Sequence, residues 1–502
     1  MNRSAPHKKP VPDLLASLDQ RLIEAARVLL PDRGENLSAG ARGTASAELL
    51  PHLFALCSDP ARHDARWLVL TAAFGAFPTT QDVRDFGRYL ELARPDHAQS
   101  ALLAQIIRDP RRGRVDLPLT VVTGGTVVDV DFCARHDTHT GIHRVVRETV
   151  PRWDATHQVD AVAWIDQYSA FRSLAPRERE RVFSFGGPST VDATAERAYS
   201  ARLVVPWQSV VVLPEVPNPA ASAPLAALAT YSGNTLALIG YDMIPITSAE
   251  MRPPADAVAF AQYLTVVKHA HRVAGISRSA TAEFSGFVES LGAQGLKGPD
   301  VHEVLLAGEA PRAAAGTGRE SSRPVMLLVG SREPHKNQRA GLHAAERLWR
   351  KGLDFEVRLV GGPGWSDAVL QPAVDRVLQQ GRPLTALGRV SDDRLAEEMR
   401  SASFVFFASL HEGYGLPVAE SLAWGTPVIT SGFGSQQEIA ELGGCLMVDP
   451  RDDDDVTAAV ERLLTDPVEL ARLRAEASAR PVRTWDTYAR ELWSFLTHGA
   501  AA

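Results

Sequence analysis

Beyond residue 324 the apolar positions fall into two alternating rhythms. Short apolar runs at 325–329, 355–360, 384–387, 404–407, 428–430 and 446–448 have the length and the β-branched or aromatic content of buried strands. Between them apolar residues recur at helical spacing, as in 341–350, which stops at Gly352. Such regular alternation predicts a doubly wound parallel sheet. A second α/β region is expected ahead of it, where β-rich runs at 119–122, 127–130, 210–213, 236–239 and 273–276 are separated by helical or loop stretches. Residues 14–110 hold helical-period segments, 14–30 and 82–92 among them, broken by proline and glycine, and read as a helical extension. The small, polar stretch 307–324 reads as a linker. The expected division is a helical extension at 1–117, an α/β domain with its linker at 118–318, a second α/β domain at 319–480 and a last helical segment at 481–502.

Composition excludes several classes. The 502 residues are 45% hydrophobic and 23% charged, which suits about three packed units and argues against disorder or a coiled-coil rod. Against 60 acidic side chains stand 53 basic ones, a balance of −7 with no basic block, so no nucleic-acid partner is expected. Cys57, Cys133 and Cys445 form no paired motif and suit a reducing compartment, so the expected location is cytoplasmic. Residues 1–13 carry Lys8 and Lys9 without an apolar stretch, and no run of eighteen apolar residues occurs, so neither a signal peptide nor a transmembrane helix is expected. Any membrane contact would be peripheral, at the inner face. Asp452 to Asp455 lead into the periodic segment 456–464 and suit the positive end of a helix dipole.

Ligands of doubly wound sheets sit beyond the carboxyl ends of the strands, so the loops that follow strands are where chemistry is expected. After 325–329 the chain reads Gly330-Ser331-Arg332-Glu333-Pro334-His335-Lys336-Asn337. A forked donor, Arg332, and a point cation, Lys336, beside free amides suit a diphosphate, and solvated surface charge explains them equally well. After 404–407 comes His411-Glu412-Gly413-Tyr414-Gly415-Leu416-Pro417-Val418-Ala419-Glu420. Pro417 marks a first helical turn, and Gly425 with Pro427 marks the end of that helix. Gly413 and Gly415 then form a turn that lets backbone amides and the helix dipole face negative charge closely. Glu412 in the turn and Glu420 inside the helix reach one cleft at different depths, which suits hydroxyl-rich groups such as a sugar and a ribose. His136, His139 and His143 have helical metal-ligand spacing, but no carboxylate motif accompanies them, and Asp129-Val130-Asp131 reads more simply as a strand end.

The pair Glu412 and Glu420, taken with 330–337 and with Gly388-Arg389-Val390-Ser391-Asp392-Asp393, resembles the family 4 retaining glycosyltransferases of GT-B fold, the group 1 type. The likeness runs from Val127 onward and is strongest at 325–450. It implies an α/β chain of two Rossmann-like domains facing a cleft, with the nucleotide-sugar donor on the second, the acceptor on the first, and the helix at 485–496 crossing back. By that resemblance Arg332 and Lys336 hold the donor diphosphate, Glu412 meets the transferred sugar and Glu420 the ribose. The amides of Gly413, Tyr414, Gly415 and Leu416 would face sugar or phosphate, and Gly388, Arg389 and Val390 the base. Gly141, in Thr140-Gly141-Ile142-His143-Arg144, looks like the entrance loop of one branch of the family, where it approaches the donor phosphates. Tyr241-Asp242-Met243-Ile244-Pro245 is similar to a His-Asp-x-Ile-Pro segment beside the reacting sugar. Tyrosine in place of histidine puts proton handling at 241 in doubt and leaves Asp242 as an acceptor-side catalytic group or a turn cap. Glu438 matches an acidic position without an assigned role, and His335 and His411 depart from the usual arginine and aromatic residue.

The resemblance implies a metal-independent, retaining transfer of a hexose from a nucleotide sugar, with no cofactor, to a hydroxyl of a glycan or lipid-linked glycan. Pro334-His335-Lys336-Asn337 leans toward mannose, then a deoxyhexose. A P-loop ATPase lacks its motif, and no pyridoxal phosphate lysine of a phosphorylase is identifiable. The remaining rival is a non-catalytic nucleotide-sugar-binding or scaffold protein of the same fold. The helical extension is expected to pack on the acceptor domain or to recruit a partner or membrane surface.

Overall fold

The computed structural model describes residues 14–34, 44–92, 114–138, 140–310, 322–365 and 367–500. His139 and most of the expected linker, 311–321, lie outside the described residues. Nine strands build the first sheet: β1 (Leu119–Thr123), β2 (Thr126–Asp129), β3 (Val159–Trp164), β4 (Phe171–Ser173), β5 (Leu203–Trp207), β6 (Val210–Leu213), β7 (Thr235–Gly240), β8 (Arg272–Gly275) and β9 (Asp300–Glu303). Their spatial order is β1-β5-β4-β3-β2-β6-β7-β8-β9, parallel except where β4 meets its two neighbours. The second sheet takes β10 (Val325–Val329), β11 (Glu356–Val360), β12 (Leu384–Gly388), β13 (Phe404–Phe407), β14 (Val428–Ser431) and β15 (Cys445–Val448) in the order β12-β11-β10-β13-β14-β15, all parallel. Every residue of β10, β13 and β14 is buried, as continuous apolar strands covered on both faces should be.

In the second sheet the chain steps outward from β10 on one side and restarts at β13 on the other. That reversal leaves a crevice beyond the carboxyl ends of β10 and β13, fed by the loops 330–337 and 408–415. The first sheet reverses in the same way around β2, between β3 and β6. Strands β3, β4, β5 and β9 do not stand out in the sequence: β4 has three residues, β5 contains Pro206, and β9 is a polar edge, Asp-Val-His-Glu.

The helices at Leu14–Leu29, Thr44–Cys57, His63–Phe74 and Thr80–Leu92 share one apolar core with β1, β5 and the strands beyond. Leu22, Leu53 and Trp67 are fully buried in it. Gln20 also closes the open edge of the sheet: the Leu119 amide donates to Gln20 Oε1 at 2.9 Å, and Gln20 Nε2 donates to the Leu119 carbonyl at 3.0 Å. At the other terminus, the helix Trp485–His498 lies on the first sheet's domain. Trp153 Nε1 donates to the Ala489 carbonyl at 2.8 Å, Arg272 to the Leu496 carbonyl at 2.8 Å, and His157 stacks on Trp493 at 4.2 Å. No helix among the described residues is long and apolar enough to cross a membrane.

Candidate functional site

The loop after β10 is held by main-chain crowding. A Cβ on Gly361 would come within 1.8 Å of the Gly330 carbonyl, and Gly361 has φ +147°, so only glycine fits. Asn337, at φ +52°, donates through Nδ2 to the carbonyls of Ala408 (3.2 Å) and Pro450 (2.9 Å), tying this loop to the one after β13. The Leu410 amide donates to the His335 carbonyl at 2.7 Å and completes the tie.

His335 is only 4% exposed beneath that junction. Burial, then the charges of Lys336, Arg252 and His411, lower its pKa from 6.5 to about 3. A depressed folded-state pKa means the stability it supports is complete above 6.5 and is lost as pH falls toward 3. His335→Gln should therefore flatten the acid limb of the stability curve, with roughly 2 kcal/mol of slope removed between neutral pH and about pH 5. Denaturant midpoints of both proteins across that range check it.

Glu412 and Lys336 meet across the crevice. Lys336 Nζ donates to both carboxylate oxygens of Glu412, at 2.7 and 2.9 Å. The Glu412 carbonyl accepts from Ser435 Oγ at 2.8 Å, and Ser277 Oγ, from the first domain, donates to the Gly413 carbonyl at 2.7 Å. A Cβ on Gly413 would lie 2.3 Å from the Tyr241 carbonyl and 3.2 Å from Asp242 Cβ, so the two domains touch at this glycine. Asp242 donates nothing here: its Oδ1 accepts the Ile244 amide at 3.1 Å. Burial, then Glu283 and Glu412, push it up to about 6, still a carboxylate at neutral pH. Beside it His411 bridges the domains through Glu283 (2.8 Å) and Ser248 Oγ (2.8 Å). Burial alone would lower His411, but the Glu283 bond together with the charges of Glu283, Asp242 and Glu412 outweighs it and its pKa rises. A second bridge joins Arg252 to Glu333 at 2.9 Å. A cavity of about 410 Å³ opens between Glu412, His411 and Ser435 on one side and Ser248 and Glu250 on the other.

Two helices point their N-termini into this region from opposite domains. The helix Gly141–Thr156 starts at Gly141, and the helix Leu416–Ala423 starts at Leu416. They approach so closely that a Cβ on Gly141 would sit 3.5 Å from Leu416 Cδ1. One turn further in, Arg144 and Glu420 form an ion pair, both nearly buried. Arg144 also lies over the Trp485 ring, 5.5 Å from its centroid. Sequence reasoning assigned Arg144 no role; its partner lies on the other domain, and only charge at a helix N-terminus hinted at it.

The structure therefore gathers Lys336, Glu412, Gly413, Gly415, Leu416, Asp242 and Gly141 around one crevice. Arg332 sits on the same loop, and its guanidinium donates to Gln371. Gly388, at φ +65°, accepts the Gly361 amide at 2.9 Å through its carbonyl, and Arg389 borders Gly362, so the 388–390 segment flanks the crevice. Tyr414 turns its side chain away, donating to the Leu306 carbonyl at 3.2 Å, so its backbone alone faces the turn. Tyr241 donates to the Pro214 carbonyl at 2.6 Å and is buried. Glu438 accepts the amides of Arg278 (2.9 Å) and Ser279 (2.7 Å) and so caps a helix of the opposite domain. The helical spacing of His136 and His143 is corrected: His136 ends the helix Asp131–Arg135, while His143 lies in the next, and Phe132 stacks on His143 at 4.2 Å. Among the described residues no group of three or more His, Cys, Asp or Glu is arranged to hold a metal ion. Asp452 caps the helix Asp453–Thr465 by accepting the amides of Asp454 and Asp455, as its dipole favours.

Residues 311–480 match the family described as glycosyl transferases group 1. The serotype-specific mannosyltransferase WbdA of Escherichia coli is 26% identical over 332 residues, covering 63% of this chain and 38% of that protein. The O-antigen chain mannosyltransferase B of Escherichia coli is 34% identical over 157 residues, 31% of this chain and 41% of that protein. The chain thus spans about two fifths of the length of these relatives. Among solved structures, sucrose-phosphate synthase from Thermosynechococcus elongatus superposes with a TM-score of 0.51 at 16% identity, covering 74% of this chain and 98% of that one. An α,α-trehalose 6-phosphate synthase from Burkholderia multivorans gives 0.50 at 14%, covering 75% and 96%. With two Rossmann-like sheets facing one crevice and the superposition on sucrose-phosphate synthase, the chain has the GT-B fold, and residues 311–480, which carry the second sheet, match the group 1 glycosyl transferases.

Proposed function

We propose that the chain transfers a hexose, mannose first, from a nucleoside diphosphate sugar to a hydroxyl of a glycan or lipid-linked glycan, with retention and without a metal or other cofactor. The observation that carries this reading is the meeting of two helix N-termini from opposite domains, one of them entered through the loop on which Glu412 holds Lys336. Both ends are positive, so their approach favours an anion between them, and a diphosphate fits. As the glycosidic bond breaks, positive charge grows at the anomeric carbon and negative charge on the departing diphosphate. Lys336, Arg332 and the amides after Gly413 meet that leaving group. Glu412 then exchanges Lys336 for the hydroxyls of the transferred sugar, and Glu420 for its part leaves Arg144 for the ribose. The acceptor hydroxyl attacks from the face the diphosphate leaves and passes its proton to a diphosphate oxygen, with Asp242 aligning it. Excluding water from the crevice strengthens each of these contacts. The mannosyltransferases among the relatives support the sugar, and GDP-mannose is the donor to try first. The chain would act in the cytoplasm, at most in peripheral contact with the inner membrane face.

Thermal-shift screening against GDP-, UDP- and dTDP-sugars, with and without divalent metal, followed by anomeric product NMR, tests the proposal. Stabilisation by one donor without turnover on any glycan would favour the scaffold reading instead. Glu412→Gln should keep donor-induced stabilisation and lower kcat by about a hundredfold, since a neutral amide loses the charged acceptor of the sugar hydroxyls. Initial rates at saturating donor check it.

A further inference from the structure

A second cavity, of about 360 Å³, lies beyond the carboxyl ends of β2 and β6, where the first sheet reverses direction. Its walls are aromatic: Phe132, Tyr168, Phe260 and Tyr263. At its rim Phe132 is 39% and Val216 38% exposed, an apolar lip open to solvent. Gln167 and Tyr168 stand at φ +66° and +54°, a conformation that non-glycine residues hold only at a cost of about 1–3 kcal/mol each and that clusters at ligand sites. The floor is carboxylic. Glu215 accepts the amides of Phe132 (2.8 Å) and Cys133 (2.9 Å), and Asp129 accepts Trp164 Nε1 (2.7 Å). Arg252 is the one cation of this lining, and Asp256 (2.7 Å) and Glu333 (2.9 Å) already engage it.

We propose that this cavity seats an uncharged saccharide ring at the acceptor end and rejects a phosphorylated one. That assignment rests on the transferase reading above, and it adds the charge class of the acceptor. A sugar presents C–H faces to aromatic rings and hydroxyls to carboxyl oxygens, which is what walls and floor offer. A phosphate would find the nearby amides occupied by Glu215 and the guanidinium paired twice, so it would lose its hydration without a counter-charge. Burial pushes Glu215 up to about 7 and Asp129 well above the usual carboxylate range. The cavity adjoins the reaction centre through Pro245, three residues past Asp242, and through Arg252 on Glu333.

Saturation-transfer NMR on the full chain with saturating GDP, comparing α-1,2-mannobiose with mannose 6-phosphate, tests it. Mannobiose should give signal, and mannose 6-phosphate should bind at least about tenfold more weakly. Phe132→Ala should weaken mannobiose roughly fivefold to tenfold while GDP-induced stabilisation stays as in the parent chain. Val216→Arg, which adds a cation at the exposed rim, should restore mannose 6-phosphate. Equal binding of both sugars, no saccharide signal, or indifference to Phe132→Ala overturns the proposal. If GDP and the other nucleoside diphosphates fail to stabilise the chain, the transferase reading itself has failed, a separate result.

Discussion

Replacing Lys336 with alanine is expected to abolish stabilisation by a nucleoside diphosphate and to lower kcat by about a hundredfold to a thousandfold. The ammonium bonds Glu412, on the loop that leads into the helix Leu416–Ala423, so in the proposed mechanism it meets the charge that develops on the leaving group. The same change strands a carboxylate: Glu412 is mostly buried, and breaking such a pair costs about 3 kcal/mol or more of stability. The double variant Lys336→Ala with Glu412→Gln separates the two effects. It should recover most of the lost stability and none of the turnover. Melting with and without GDP, alongside initial rates, reads both quantities. A single variant within tenfold of the parent kcat would remove Lys336 from the leaving-group site.

The second large effect is expected at Gly413. A methyl there would overlap the Tyr241 carbonyl, a main-chain atom that cannot swing aside, so Gly413→Ala should force the domains apart and break the bond from Ser277. Displacements of about 1 Å at a reacting centre cost on the order of a hundredfold in rate. Turnover should fall by about that factor while donor binding weakens less, since Lys336, Arg332 and the 413–416 amides stay together on the second domain and only the helix end at Gly141 moves away. Small-angle scattering should report a larger radius of gyration. An unchanged radius with lost activity would mean that Gly413 acts on the ligand rather than on the domain contact.

Much of the second domain was legible because its central strands β10 and β13 are fully buried and therefore continuously apolar. The glycine-rich turns that follow β10 and β13 mark the crevice, and Pro417 and Gly425 bracket the intervening helix. The first domain was less legible. Its antiparallel insertion at β4 has too few residues to show a period, and Pro206 masks β5. Pairings across domains left no trace in spacing. Arg144 with Glu420, His411 with Glu283 and Glu438 with the Arg278 amide each join residues far apart in the chain, and charge alone does not say which carboxylate a given cation meets. His136 and His143 have helical spacing in the sequence yet belong to successive helices, because nothing in the sequence marks the end of the first at Arg135.

The helix Trp485–His498 covers the first sheet's domain, yet it is made after the whole of the second. During synthesis the first domain must wait on the ribosome with Trp153, Val150 and neighbouring apolar residues uncovered until that helix emerges. Nascent chains stalled before residue 485 should thus be protease-sensitive in the first domain and attractive to chaperones, whereas emergence of residues 485–498 covers it.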